Sequence, residues 1–124
     1  MNNNKDKNLF DEQKEIGKSL LDKKEYDQAI RYFSEMAYLS EKNHCDKALA
    51  ISKYYMAICL NHLEKVNMAC DILQEVTEIA ERIRNPQIVI HSEIIRAHLF
   101  IRLGHNDRAS RILQDLYLNF ALLV

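Results

Sequence analysis

Five histidines and three cysteines are the side chains of this 124-residue chain best suited to hold a metal or attack a substrate. His91 and His98 stand seven apart, which places both on one helix face, and His62 is the residue that would join them as a ligand. A structural zinc site wants four convergent ligands with oriented partners behind them, and no carboxylate or cysteine is placed to complete that set. No metal is expected. Cys45, Cys59 and Cys70 are odd in number and contain no Cys-x-x-Cys pair, which leaves neither a disulfide framework nor a zinc ribbon. They read as small apolar side chains: His44 adjoins Cys45, but none of the three has an evident activating partner. The sequence also carries no glycine-rich phosphate loop, no His-Glu-x-x-His pattern and no acid pair assignable to a cleft. The chain is therefore expected to be neither an enzyme nor a cofactor carrier.

Charge and hydropathy narrow the remaining classes. Lys and Arg number 17 against 18 acids, a formal net charge of -1, so no basic field is available to neutralise phosphates and nucleic-acid binding is disfavoured. The longest uncharged apolar stretch runs from Leu116 to Val124, well short of the roughly 20 residues that a spanning helix needs. No membrane segment is expected. The start, 1–8, is polar, with charges at Lys5, Asp6 and Lys7 and no apolar stretch behind them. It reads as a frayed tail, and the absence of paired cysteines suits a reducing cytoplasm.

The elements that must position any site are helices. Two glycines and one proline leave little material for tight turns, and 48% hydrophobic with 28% charged residues suit one folded domain, here 9–124. A repeat organises it. Ala29-Ile30-Arg31-Tyr32-Phe33-Ser34-Glu35-Met36 aligns with the segments beginning at Ala69 and Ala109, an offset of 40 each time. Gly17, Ala57 and Ala97 stand twelve residues upstream of those alanines, followed by Leu20, Leu60 and Phe100. Small residues at both places suit antiparallel helices in close approach, with Phe33, Leu73 and Leu113 filling the flanks. Helices are expected near 9–23, 26–42, 46–63, 66–84, 86–103 and 106–122, in repeats near 9–45, 46–85 and 86–124. Breaks fall between them, with Asp46 and Asn85 as candidate caps, Pro86 at a first helical position and Gly104 at a left-handed one. The fold class is all-α: three antiparallel helix pairs.

Ile16-Gly17, Leu20, Tyr26, Ala29, Phe33 and Met36 fall at signature spacings, and over about 9–122 the chain resembles the tetratricopeptide repeat family. That resemblance implies helix pairs stacked as a right-handed α-solenoid. The 40-residue period exceeds the usual 34 and is similar to the long-repeat branch that includes bacterial peptide-sensing regulators. Arg96 stands where Ile16 and Met56 are apolar, and Asn106 where Tyr26 and Val66 stand, so the third repeat departs most. No DNA-binding helix-turn-helix precedes the repeats.

In such arrays the first helix of each pair lines a concave ligand groove. The resemblance assigns that lining to Lys14, Lys18, Leu21, Tyr54, Ile58, Asn61, His62, His91, Ile94, His98 and Arg102. The set is cationic, aromatic and polar without an acid, which suits an extended, acidic peptide. The family's carboxylate clamp is matched only at Lys14: Lys18 and Tyr55 replace its asparagines, and His91 with Ile95 its basic pair. A protein- or peptide-binding adaptor is the function implied. The alternatives are a regulatory partner of a signalling protein, such as a response-regulator phosphatase, and a self-associating scaffold. For the scaffold, Ile112, Tyr117, Leu118, Leu122 and Leu123 form an apolar stripe with no charge after Asp115, so a homodimer through the last helix is expected.

Overall fold

The computed structural model describes residues 4–120. Six helices fill them: α1 (Asn4–Asp22), α2 (Tyr26–Lys42), α3 (Asp46–His62), α4 (Val66–Arg82), α5 (Pro86–Arg102) and α6 (Asn106–Phe120). Each packs against its neighbours in sequence, and α3 also touches α5, so the pairs stack as a tetratricopeptide-like all-α solenoid.

One hydrogen-bond device ends every helix that has a successor. The residue two beyond the last helical one takes a left-handed backbone, with φ of 61° at Lys24, 53° at His44, 62° at Glu64, 55° at Arg84 and 81° at Gly104. The next amide then reaches back five residues: Glu25 N donates to Leu20 O at 2.9 Å, Cys45 to Ser40, Lys65 to Leu60, Asn85 to Ala80 and His105 to Phe100. Together with the left-handed residue's own amide, which donates to the last turn as Lys24 N does to Leu21 O at 2.9 Å, this hydrogen bond satisfies carbonyls that would otherwise be orphaned. The connections consequently recur every 20 residues. At the following starts, Asn85 behaves as expected, its Oδ1 accepting from the amide of Ile88 at 3.1 Å with Pro86 behind it. Asp46 does not: Cys45 is the N-cap residue, and the Asp46 carboxylate instead faces Arg82 at 3.4 Å.

Small residues set the axes close. Ala29 and Ala69 are fully buried, and Ala57, Ala97 and Ala109 nearly so. A methyl built on Gly17 would stand 2.8 Å from Cε1 and Cζ of Phe33, so only glycine admits that ring between α1 and α2. Two large core clusters follow, one around Phe10, Phe33 and Met36, the other around Leu60, Leu73 and Phe100. Leu113, expected to fill the same flank as Phe33 and Leu73, is 43% exposed because no further helix covers it among the described residues.

The expectation of a frayed tail over 1–8 fails for its described part. Residues 4–8 already belong to α1, and Asp6 is buried against the end of α2, where Asn43 Nδ2 donates to its Oδ2 at 2.9 Å and the Lys42 ammonium stands 3.5 Å away. The Asn43 bond, aided by Lys42 and opposed by burial, holds the Asp6 carboxyl below the usual aspartate range.

Candidate functional site

Stacking brings the first helices of the three pairs alongside one another, and a cavity of about 310 Å³ opens between them. Lys14 of α1, Ile51, Tyr54 and Tyr55 of α3, and Gln87, Ile88 and His91 of α5 line it. The spacing explains the choice: Ile51 with Tyr54 and Tyr55, and Gln87 and Ile88 with His91, lie three or four residues apart and so share a helix face. The tyrosines are held from behind. Tyr55 stacks on the buried Phe33, ring centroids 4.8 Å apart at 13°, and Tyr54 meets Tyr55 edge-on at 5.6 Å and 71°. Burial, followed by the neighbouring Tyr55, pushes the Tyr54 hydroxyl above its ordinary value, so it remains a neutral hydrogen-bonding group in neutral solution. No acid lines the cavity, and Lys14 and His91 are its basic members.

Of the eleven residues assigned to the groove, Lys14, Tyr54 and His91 meet in this cavity, and the others distribute elsewhere. Asn61 and Arg102 join α3 to α5, Asn61 Oδ1 accepting from Arg102 Nη1; the same guanidinium reaches Glu64 at 3.2 Å. Glu64 therefore offsets the charge of Arg102, whereas no acid lines the cavity. His62 lies flat on Tyr26, centroids 4.4 Å apart at 2°. Leu21 packs into the core of the first pair. Lys18, Ile94 and His98 are exposed and Ile58 half-buried, none of them lining the cavity. Sequence reasoning missed Ile51, Gln87 and Ile88 and took Tyr55 only as a replaced clamp residue. The signal was present, since they sit one turn before, or beside, Tyr54 and His91.

Among the described residues no group of three His, Cys, Asp or Glu side chains converges as metal ligands. Burial raises the Cys59 thiol to about 11 and pushes Cys70 up as well, so both are protonated in neutral solution. No helix among the described residues is long and apolar enough to cross a membrane.

The two ends of the stack differ. On the receiving face of α4, Leu73 is fully buried and Thr77 is 7% exposed, whereas their counterparts on α6, Leu113 and Tyr117, are 43% and 72% exposed. Leu118 is exposed too. Ile112, expected on the same open stripe, packs instead beside the Phe100 cluster; Leu122 and Leu123 lie outside the described residues. At the other end, the face that α3 buries through Ala48, Ser52 and Cys59 corresponds on α1 to Asn8, Glu12 and Ser19, with Glu15 beside them, all exposed. The first end is mostly polar and carries acids, with Ile16 its exposed apolar member, and the last is apolar.

Comparison with known proteins bears on the fold. The crystal structure of the TPR domain of Arabidopsis FLU superposes with a TM-score of 0.86 at 15% identity, covering 94% of this chain and 98% of that one. No protein-family model and no curated protein matches the sequence.

Proposed function

We propose that the chain is a non-catalytic, cytoplasmic adaptor that takes an extended peptide across α1, α3 and α5, seating an apolar or aromatic side chain in the cavity beside an acidic group. The observation that carries this reading is that Lys14, Tyr54 and His91, one from each repeat, line a single cavity floored by Ile51 and Ile88 and free of acids. An apolar side chain gains from leaving water there, while the Lys14 ammonium and the neutral Tyr54 hydroxyl supply the few polar groups that orient a ligand. A small buried aromatic contact of this kind is where binding energy concentrates. The assignment of Lys18, Ile58, Ile94 and His98 to the same groove extends the path on either side of the cavity.

The test is a fluorescence-anisotropy screen of short peptides that pair one large apolar residue with flanking acids. Tyr54→Ala should weaken the best binder by about 1–2 kcal/mol and Lys14→Glu by at least as much, with helicity unchanged. Equal binding by both variants and the parent would remove the cavity from the account.

The apolar last end supports a second, compatible reading: two copies join through α6. Covering Leu113, Tyr117 and Leu118 removes apolar surface from water, and the acidic first end is a poor mate for it, because Glu12 and Glu15 would lose water without gaining partners. Head-to-tail growth is thereby disfavoured, and a closed two-fold pairing of like ends is the remaining arrangement of copies.

A further inference from the structure

A second cavity, of about 280 Å³, lies between α5 and α6 and is lined by Arg96, Phe100, Arg108, Arg111, Ile112 and Asp115. Three arginine side chains thus line one small hollow. Phe100 gathers two of them: the Arg108 Cζ lies 4.2 Å and the Arg96 Cζ 5.3 Å from its ring centroid. Such contacts fix the planes of the cations without neutralising them. Arg96 spends Nη1 on Glu93, at 3.1 and 3.2 Å from its two oxygens, and leaves its buried Nε with no hydrogen-bond partner. Among the described residues neither Arg108 nor Arg111 comes within ion-pair distance of an acid, although Asp115 stands one turn from Arg111 on the same helix.

The internal repeat shows that this concentration is particular to the third pair. The matching hollow between α1 and α2 is lined by Gln13, Gln28, Arg31, Tyr32 and Glu35, one cation and one acid. At the positions of Arg96, Arg108 and Arg111 the first pair has Ile16, Gln28 and Arg31, and the second Met56, Met68 and Asp71. Stacking of helix pairs therefore does not require arginine at these places, and Ile16 and Met56 fill the position of Arg96 with apolar side chains.

We infer that the α5–α6 cavity binds a phosphoryl group. One arginine fork already occupies both oxygens of a carboxylate, whereas a phosphoryl group offers three oxygens to donors arriving from two helices, and its charge offsets the uncompensated Arg108 and Arg111. Asp115 on the rim limits the net positive charge, so the ligand is held by geometry as much as by field. Two sources share this chemistry: free phosphate and a phosphorylated side chain of a partner.

The experiment follows the arginine Nε–H signals by NMR while inorganic phosphate replaces chloride at constant ionic strength. Arg96, Arg108 and Arg111 should move together along one saturable curve; Arg108→Ala with Arg111→Ala, both exposed positions, should weaken the response at Arg96 at least tenfold, and Arg31→Ala should leave it unchanged. Arg111→Gln alone should give an intermediate loss and serves if the double variant is unstable. A phosphoserine tripeptide that saturates at least tenfold below inorganic phosphate assigns the source to a modified side chain, and the reverse order assigns it to free phosphate. A linear or absent response, the same curve with acetate, or a curve untouched by the variants would overturn the site.

Discussion

Gly17 and Phe33 tie packing to the candidate site within two contacts. The ring that forbids a methyl at Gly17 is fully buried and also stacks on Tyr55, and Tyr55 meets Tyr54 in the cavity wall. Gly17→Ala should therefore destabilise the fold by about 1–3 kcal/mol through overpacking, despite the general preference of helices for alanine over glycine. A thermal melt checks the loss, and an unchanged melting temperature would show that Phe33 yields freely. Gly17 was legible in the sequence because its small size recurs at Ala57 and Ala97. Asp6 was not: its partner Asn43 lies 37 positions away, and one aspartate in a polar stretch carries no periodic signal. Arg96 was legible only as a mismatch. Its place in a buried set, where Thr77 Oγ1 donates to Glu93 Oε1 at 2.7 Å and Arg96 pairs with the same carboxylate, depends on the α4–α5 packing.

Helix boundaries were legible where apolar periodicity stops: the starts of α2 to α6 and the ends of α1 to α5 agree with expectation to within about two residues, the start of α1 does not, and the end expected at 122 lies outside the described residues. The mechanism of stopping was legible only at Gly104. The other four left-handed positions are Lys24, His44, Glu64 and Arg84, residue types that do not announce such a backbone, so the sequence showed where the helices break every 20 residues but not how. Each of those four bears the crowding of Cβ in a left-handed backbone, a cost of about 1–2 kcal/mol, partly offset because a side chain restricts the unfolded chain more than glycine does. Lys24→Gly and Arg84→Gly should each raise stability by about 0.5–1 kcal/mol, read as a higher denaturant midpoint at unchanged slope. A fall at both positions would mean that their side chains make contacts worth more than the strain.

Across the whole molecule, the same stacking that makes one cavity from three repeats leaves two unlike ends. Both consequences escape a residue-by-residue reading of the sequence. A helical stripe identifies Tyr54 or His91 singly, but which first-helix residues converge depends on the angle at which successive pairs stack, and that angle is set by the packing of α3 on α2 and of α5 on α4. The result is that Asn61 and Arg102 bridge helices and His62 stacks on Tyr26, while Ile51 and Ile88 join the cavity. Closed pairing through the apolar end predicts a dimer at micromolar concentration in sedimentation, converted to monomer by Leu113→Asp with Tyr117→Asp, at little cost to the fold because both are exposed. A parent chain that sediments as a monomer at every concentration, or a ladder of higher assemblies, would contradict it.

The central claim is that one ligand engages all three repeats at the cavity, and its most direct measurement is an amide NMR titration of the chain with the tightest acidic, apolar peptide from the screen. The account predicts that signals around Lys14, Tyr54 and His91 move together along a single saturation curve while those of α6 stay still. Shifts confined to one repeat, or gathered on α6 with Tyr54 and its neighbours unmoved, would contradict it.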